Sequence, residues 1–512
     1  MALFSKEKIN KIKYKAGDLL NRSLDQHVTL AVTGLSRSGK TAFITSLVNQ
    51  LVNESNESQL SFFNPVHQGR FIAAKRVPQK NLHISRFDYE HCLSAFCHQP
   101  PHWPEPTKGI SEPRLAIRYK PKDSYLKYAT DMATLTLDIT DYPGEWLLDL
   151  PMLKQTYEQW SKQMHNLLTA APRDKYAKGF LAKVATIDPF AIADEELLAE
   201  LAKEYTELLH TFRYTLGLSV IQPGRFILPA ELAGAPILEF FPFPNLIDID
   251  GNDYQNASDD SFIGMLRARF IEYKEQVVKK FYRQHFLRFD RQIVLADCLT
   301  PLNACSDNSG PESFADLQLA IDMILESYSY GKSGLFTRLF SPKIDKLLFA
   351  ATKADHVTSE QHAPMVSLLN QLIYSSKHKL NFEAIEMKTL AIAAVKSTNS
   401  GKSVHKGQQV SVIQGFREKH KSKASATSPS AEKQVIGEQT SRDEITRDES
   451  VREKITLFPG SVPEKLPETA FWQQSAFNFI NFAPMSGMDK HQALPHIRMD
   501  QVLQFLLADK ML

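Results

Sequence analysis

The 512-residue chain has little cysteine, almost no charge imbalance and no long apolar run. Four cysteines in this length exclude a disulfide framework. Cys92 and Cys97 lie between His91 and His98, but their spacing departs from C-x2-C, so buried thiols on a helix are expected rather than a metal site. Sixty basic residues against fifty-eight acidic ones leave a net charge of +2, which gives no general argument for a nucleic-acid partner. The most apolar stretch, residues 226–247, carries Glu231, Glu239 and four prolines and reads as a buried irregular segment. The first residues lack the apolar core of a secretory signal. A cytoplasmic protein is expected, with peripheral contact at the inner membrane as the second reading.

What is present is ordinary globular composition, 43% hydrophobic and 23% charged, enough for two or three domains. Residues 1–26 read as an amphipathic helix with Phe4, Ile9, Ile12, Leu19 and Leu20 on one face and lysines around it. Such a helix packs on a domain or lies on lipid, and packing is the reading preferred. Residues 27–33 read as a buried strand, followed by a glycine-containing loop and a helix from about 41 to 51. A short helix is expected at 87–97 and strands at 114–120 and 133–139. Residues 147–287 read as an inserted helical domain, with helical spacing at 150–169, 195–213 and 262–286. Strands at 291–297, 346–351 and 386–395 alternate with helices at 313–328 and 359–375, the pattern of a parallel sheet. Residues 418–453 read as a flexible loop and 497–508 as a closing helix within a C-terminal segment, 454–512. The fold class is α/β, a mostly parallel sheet flanked by helices, its two parts at 27–146 and 288–417 interrupted by the insertion.

The run Gly34-Leu-Ser-Arg-Ser-Gly-Lys40-Thr41 fits G-x-x-x-x-G-K-[ST] and sits between a strand and a helix. Glycines let successive N–H groups converge on one anion, and the helix N-terminus adds its positive end. Gly34, Ser36, Arg37, Ser38, Gly39, Lys40 and Thr41 therefore form a candidate phosphate loop, or P-loop. Lys40 reaches the β- and γ-phosphates, and the Thr41 hydroxyl ligates Mg2+. Past the strand at 133–139 stands Asp141-Tyr-Pro-Gly144-Glu145. Asp141 is the expected metal-side carboxylate, with Asp138 as competitor. Gly144 offers its N–H to the γ-phosphate, and Glu145 stands where the GTPases this motif resembles often use glutamine, which implies a role in orienting water or as a base. Thr107 precedes the strand at 114–120 and is the expected switch hydroxyl on the metal, with Ser111 as competitor.

Thr352-Lys353-Ala354-Asp355 follows the apolar strand at 347–351 and resembles the guanine-reading motif. A carboxylate there accepts two hydrogen bonds from guanine that adenine cannot donate. Val395 and Lys396, after the next strand, stand where the family that this motif resembles keeps its last base-contacting loop, which implies a place for them in the candidate base site.

The order P-loop, threonine loop, D-x-x-G and T-K-x-D resembles the GTPases. TKGISE also resembles the first switch of heterotrimeric G-protein alpha subunits. Their catalytic arginine position holds Pro104 here, so that arginine does not carry over. The strings GLSRSGKT, TKGISE, DYPGEWLLDLPML and VLADCLTPLN resemble the YcjX stress-protein family. That resemblance implies GTP/GDP and Mg2+ as ligands, a role under stress, and a protein effector, with a membrane protein as one form of it. Ser36 stands where small GTPases usually keep glycine and crowds an arginine supplied by a partner. Slow intrinsic turnover is expected, or an arginine from the chain's own insertion, while Arg37 is expected to face solvent. Two other readings are an ATP-dependent ATPase or kinase, which Asp355 discriminates, and a scaffold stabilised by nucleotide without turnover.

Overall fold

In the computed structural model, the residues described are 26–34, 38–54, 59–106, 109–122, 132–247, 249, 251–303, 310–328, 344–374, 385–405, 407–418, 453–474, 477 and 479–511. The expected N-terminal helix, most of the 418–453 loop, Ser36, Arg37 and Thr107 lie outside them.

Among the described residues the strands of four residues or more are β1 (Gln26–Gly34), β2 (Phe71–Val77), β3 (Arg114–Tyr119), β4 (Ala133–Asp141), β5 (Arg291–Ala296), β6 (Lys346–Ala351), β7 (Glu386–Ala391), β8 (Thr398–His405), β9 (Gln408–Phe416) and β10 (Lys454–Leu457), with two-residue strands at Ser85–Arg86 and Ser111–Glu112. The first seven join one sheet in the order β2–β3–β4–β1–β5–β6–β7. From β4 to β7 every neighbour is parallel, while β2 and β3 run antiparallel at one edge. The central strands are apolar at nearly every position because both sheet faces are covered. Leu30, Val32, Ile293, Leu295, Leu348 and Ala350 point into one core, while Ala31, Val294, Ala296, Leu347, Phe349 and Ala351 point into the other. This is the two-residue alternation of a pleated sheet read on both sides.

Helix α1 (Lys40–Val52) packs on the first face with α2 (Tyr89–Cys97) and the late helix at Met499–Leu507. Side chains of α1 reach the segment before that late helix. Asn49 and Gln50 donate to the carbonyls of Gln492 and Leu494 at 3.1 and 2.6 Å, and Ser46 donates to Ala394.

The insertion builds the other face. Its helices are α3 (Tyr157–Thr169), α4 (Asp174–Val184), α5 (Glu195–Tyr214) and α6 (Phe262–Glu272). The expected helix at 150–169 is divided: Gly144–Lys154 is a 3-10 segment containing Pro151, and a Thr156/Gln159 capping box starts α3 afresh. Trp160 is fully buried at the centre, its ring 5.3 Å from Phe240 and 5.4 Å from Phe270. One continuous hydrophobic cluster runs from Trp160 to the strand residues Ala31 and Val294. Between insertion and body, Asp316 accepts from the Val220 amide (3.0 Å) and pairs with the buried Arg173.

Two elements have no counterpart in the expectations above. Strand β2 is largely exposed, so its apolar signal is weak. Strands β8, β9 and β10 form a separate antiparallel sheet of polar sequence. The β8–β9 turn holds Gly407 at φ 79°, a conformation favouring glycine. Among the described residues no helix is long and apolar enough to cross a membrane.

Candidate functional site

The site lies where the parallel strands end, the edge at which open α/β sheets take ligands. Register sets Val32 of β1 beside Asp141 of β4, and Gly34 beside Leu295 of β5. Both sequence motifs thus leave the sheet at one point. Gly39 has φ 79° and caps the N-terminus of α1. A methyl group on Gly34 would come within 2.1 Å of the Ser38 hydroxyl, and one on Gly144 within 2.1 Å of the Gly34 carbonyl oxygen. The two glycines are needed so that the phosphate loop and the Asp141–Glu145 turn touch backbone to backbone.

Lys40 spans this contact. Its ammonium donates to the Tyr142 carbonyl at 2.7 Å and lies 3.2 Å from Asp141 Oδ1, a carboxylate with no solvent exposure. The competing carboxylate, Asp138, is held elsewhere: His27 Nε2 is 2.7 Å from it and Arg114 Nε is 3.3 Å. Ser111 pairs in the sheet with Asp141, so the two-residue strand Ser111–Glu112 starts directly beside the site.

The Ser38 hydroxyl is buried at 2% exposure with no hydrogen-bond partner among the described residues. An orphaned buried donor just before the N-terminus of α1 fits an anion. Asp141 and the hydroxyl of Thr41, in the first turn of α1, supply hard oxygen donors that fit Mg2+.

Glu145 is 5% exposed and ion-paired with Arg213 of α5, Nη1 to Oε1 being 2.5 Å. Gly224 packs so closely on Glu145 that a Cβ there would meet the Glu145 carbonyl oxygen at 2.3 Å. Four residues on, Asp149 accepts from the Gly224 amide at 2.8 Å and from the Tyr273 hydroxyl at 2.6 Å. Burial pushes the Asp149 carboxyl up to about 7, against the pull of these donors and of Arg225. Next to Glu145, the Trp146 ring carries the Arg225 guanidinium 3.3 Å from its centroid. The insertion is therefore fastened to the turn that follows Asp141.

At the other end, Thr352 donates its amide to Ala296 at 2.9 Å. Lys353, at φ 61°, places its ammonium 2.6 Å from Asp297 and 5.2 Å from the Phe479 ring centroid. Burial raises the Asp297 pKa, but Lys353 and Thr300 overcome it and hold the carboxyl below its ordinary value. Asp355 accepts on Oδ2 from both the amide and the hydroxyl of Ser397, each at 2.7 Å. Ser397 follows the two positions expected from sequence. Val395 is a core residue, and the Lys396 amide donates to Pro495 at 2.8 Å. An open cavity of about 460 Å³ touches Asp355 and Lys396 and is walled further by His362, Thr398, His496 and Arg498. None of the described phosphate-loop residues lines it.

Sequence reasoning missed Ser397, Asp297 and Arg213. Ser397 adjoins the Val395–Lys396 pair and Asp297 lies inside the quoted string VLADCLTPLN. Arg213 sits in a helix with no motif, and only folding brings it to Glu145.

The match to known proteins follows the same residues. A family model described as "YcjX-like family, DUF463" matches residues 28–511. The "Ras-like GTPase YcjX" of Escherichia coli (strain K12) is 46% identical over 503 residues, covering 98% of this chain and all of that one. The protein of the same name from Shewanella oneidensis (strain MR-1) is 40% identical over 514 residues, covering 98% of each. With the phosphate loop, the Asp141–Glu145 turn and the Asp355 loop all inside the matched span, this chain belongs to the YcjX-like family.

Proposed function

We propose that the chain binds guanine nucleotide and hydrolyses GTP with Mg2+, and that the nucleotide state sets the arrangement of the Asp141–Lys154 segment and of the insertion resting on it. The observation that carries this reading is the meeting of Gly34, Lys40, Asp141 and Gly144 at one strand edge. Lys40 would stabilise charge on the β- and γ-phosphates, and the loop amides with Ser38 would hold them. Ser36 and Arg37 belong to the same proposed loop. Thr41, Thr107 and Asp141 would hold the metal, directly or through water. When bound, Mg2+ supplies charge neutralisation at the phosphate oxygens. Gly144 would donate its amide to the γ-phosphate, and Glu145 would orient the attacking water. Asp355, held by Ser397, would read the base, with Thr352, Lys353, Val395 and Lys396 around it. The printed names of the two relatives support a GTPase.

The deciding experiment is competition of GDP, GTP, ADP and ATP for the purified protein with Mg2+, followed by phosphate release. Guanine preference with release that disappears in Lys40→Ala is expected. Equal binding of GTP and ATP would sink the base assignment. The proposal extends to a role under stress and to a protein effector, both carried by family resemblance.

A further inference from the structure

Glu145 raises a physical difficulty for the reaction just proposed, on which this inference rests. It places a buried carboxylate one residue from the amide assigned to the γ-phosphate, and two anions in a water-poor site repel. The remedy is in the same chain. Arg213, in the last turn of α5, is only 8% exposed and sets Nη1 against Glu145 Oε1 at 2.5 Å. It is not a saturated structural fork. Nη1 and Nε are both buried, and among the described residues neither makes an aligned hydrogen bond. Charge rather than a fork of aligned hydrogen bonds therefore holds Glu145, and the buried pair fixes the carboxylate without tying up both of its oxygens. The backbone is rigidly registered as well, since Gly224 closes on Glu145 from the other side.

We propose that Arg213 is the positioning residue for Glu145 in GTP hydrolysis, so that the insertion helix supplies from within the chain the cation that fixes this carboxylate beside the γ-phosphate. In the step, the water oxygen bonds to the γ-phosphorus. The bond to the β–γ bridging oxygen breaks with its electron pair remaining on GDP. Glu145 accepts a hydrogen bond from the attacking water, and the water's proton ends on the released phosphate. Arg213 acts by holding Glu145, which is why the insertion must be docked for turnover.

The test uses the full chain and measures GTP affinity, kcat and KM for wild type, Arg213→Ala, Arg213→Lys, Glu145→Gln and the Arg213→Ala/Glu145→Gln double variant. Arg213→Ala is expected to lower kcat by about 30-fold or more, with KM and GDP affinity within about threefold of wild type. Arg213→Lys, which keeps the charge, is expected to recover at least about a third of the lost rate on a logarithmic scale. In the Glu145→Gln background, Arg213→Ala is expected to cost less than about threefold, since it acts through that carboxylate. A rate within threefold of wild type for Arg213→Ala overturns the proposal. An equal loss in both backgrounds also overturns it, assigning Arg213 to direct phosphate contact or to structure. Should Arg213→Ala not fold, Arg213→Gln carries the same expectations in both backgrounds. Wild-type protein without Lys40-dependent GTP hydrolysis would instead sink the GTPase reading, an outcome distinct from active wild type with active Arg213→Ala.

Discussion

The Lys40 ammonium stands 3.2 Å from Asp141 Oδ1 across the junction of two strands that are neighbours in the sheet but far apart in sequence. The cation proposed for the phosphates is thus paired with the carboxylate proposed for the metal side, and under that proposal nucleotide and metal together would release each from the other without leaving either charge bare.

Removing Lys40 therefore has two effects. Lys40→Met is expected to abolish triphosphate hydrolysis, by about 100-fold or more, because the γ-phosphate loses its fixed positive charge. Without nucleotide it is also expected to destabilise the fold by about 3–5 kcal/mol, since buried Asp141 loses its ammonium counter-charge. Denaturant titration checks the second effect, and adding Asp141→Asn is expected to recover part of the loss. A recovery of nothing would show that Asp141 is not held by Lys40.

Gly144→Ala tests the backbone contact. The added methyl would lie 2.1 Å from the Gly34 carbonyl oxygen, and that oxygen belongs to a fixed strand end. Either the turn or the phosphate loop must move. Phosphate release is expected to fall by about 100-fold or more while GDP affinity changes by less than about tenfold, because the diphosphate does not need the Gly144 amide. Rapid-quench hydrolysis beside GDP titration separates the two.

Asp355→Asn tests base reading. An amide in place of the carboxylate offers a donor where guanine presents donors. GTP affinity is expected to fall by at least about tenfold and preference to move toward xanthosine triphosphate. Because Ser397 gives two hydrogen bonds to the native carboxylate, Ser397→Ala is expected to weaken GTP binding in the same direction but less.

A pH dependence follows from Asp149. Its folded pKa, about 7, lies above the ordinary value of 3.8, so between those limits the folded state binds the extra proton. Its contribution is fully present below about pH 4 and is lost as pH rises through 7. Relative to Asp149→Asn, wild type is expected to lose melting temperature steadily from pH 5 to pH 8. Parallel melting curves for the two proteins would show that this carboxyl does not titrate there.

The central sheet was legible because buried parallel strands write themselves as apolar runs, as in Arg291–Ala296 and Lys346–Ala351, bounded by helices of clear period. The phosphate loop was legible because its glycines are demanded locally. Strand β2 escaped because an exposed edge strand with Lys75 and Arg76 carries no buried stripe. The β8–β10 sheet escaped because its polar strands satisfy each other through backbone bonds that leave little mark on composition. Ser397 was displaced from the expected Val395–Lys396 pair because strand β7 ends at Ala391, earlier than its apolar run suggests. Asp316 and Arg213 gain their meaning only from partners 143 positions away and across the insertion, respectively.

The bonds from α1 to residues 492 and 494 bear on when the protein becomes functional during its own synthesis. Gln50 and Leu494 are 444 positions apart, so the helix that carries Lys40 and Thr41 waits for these neighbours until residue 494 has been made. At about 5–20 residues per second that delay is roughly 20–90 seconds. Helix α1 is thus made early and braced late, so whatever its N-terminus holds is held firmly only after residues 492 and 494 are in place.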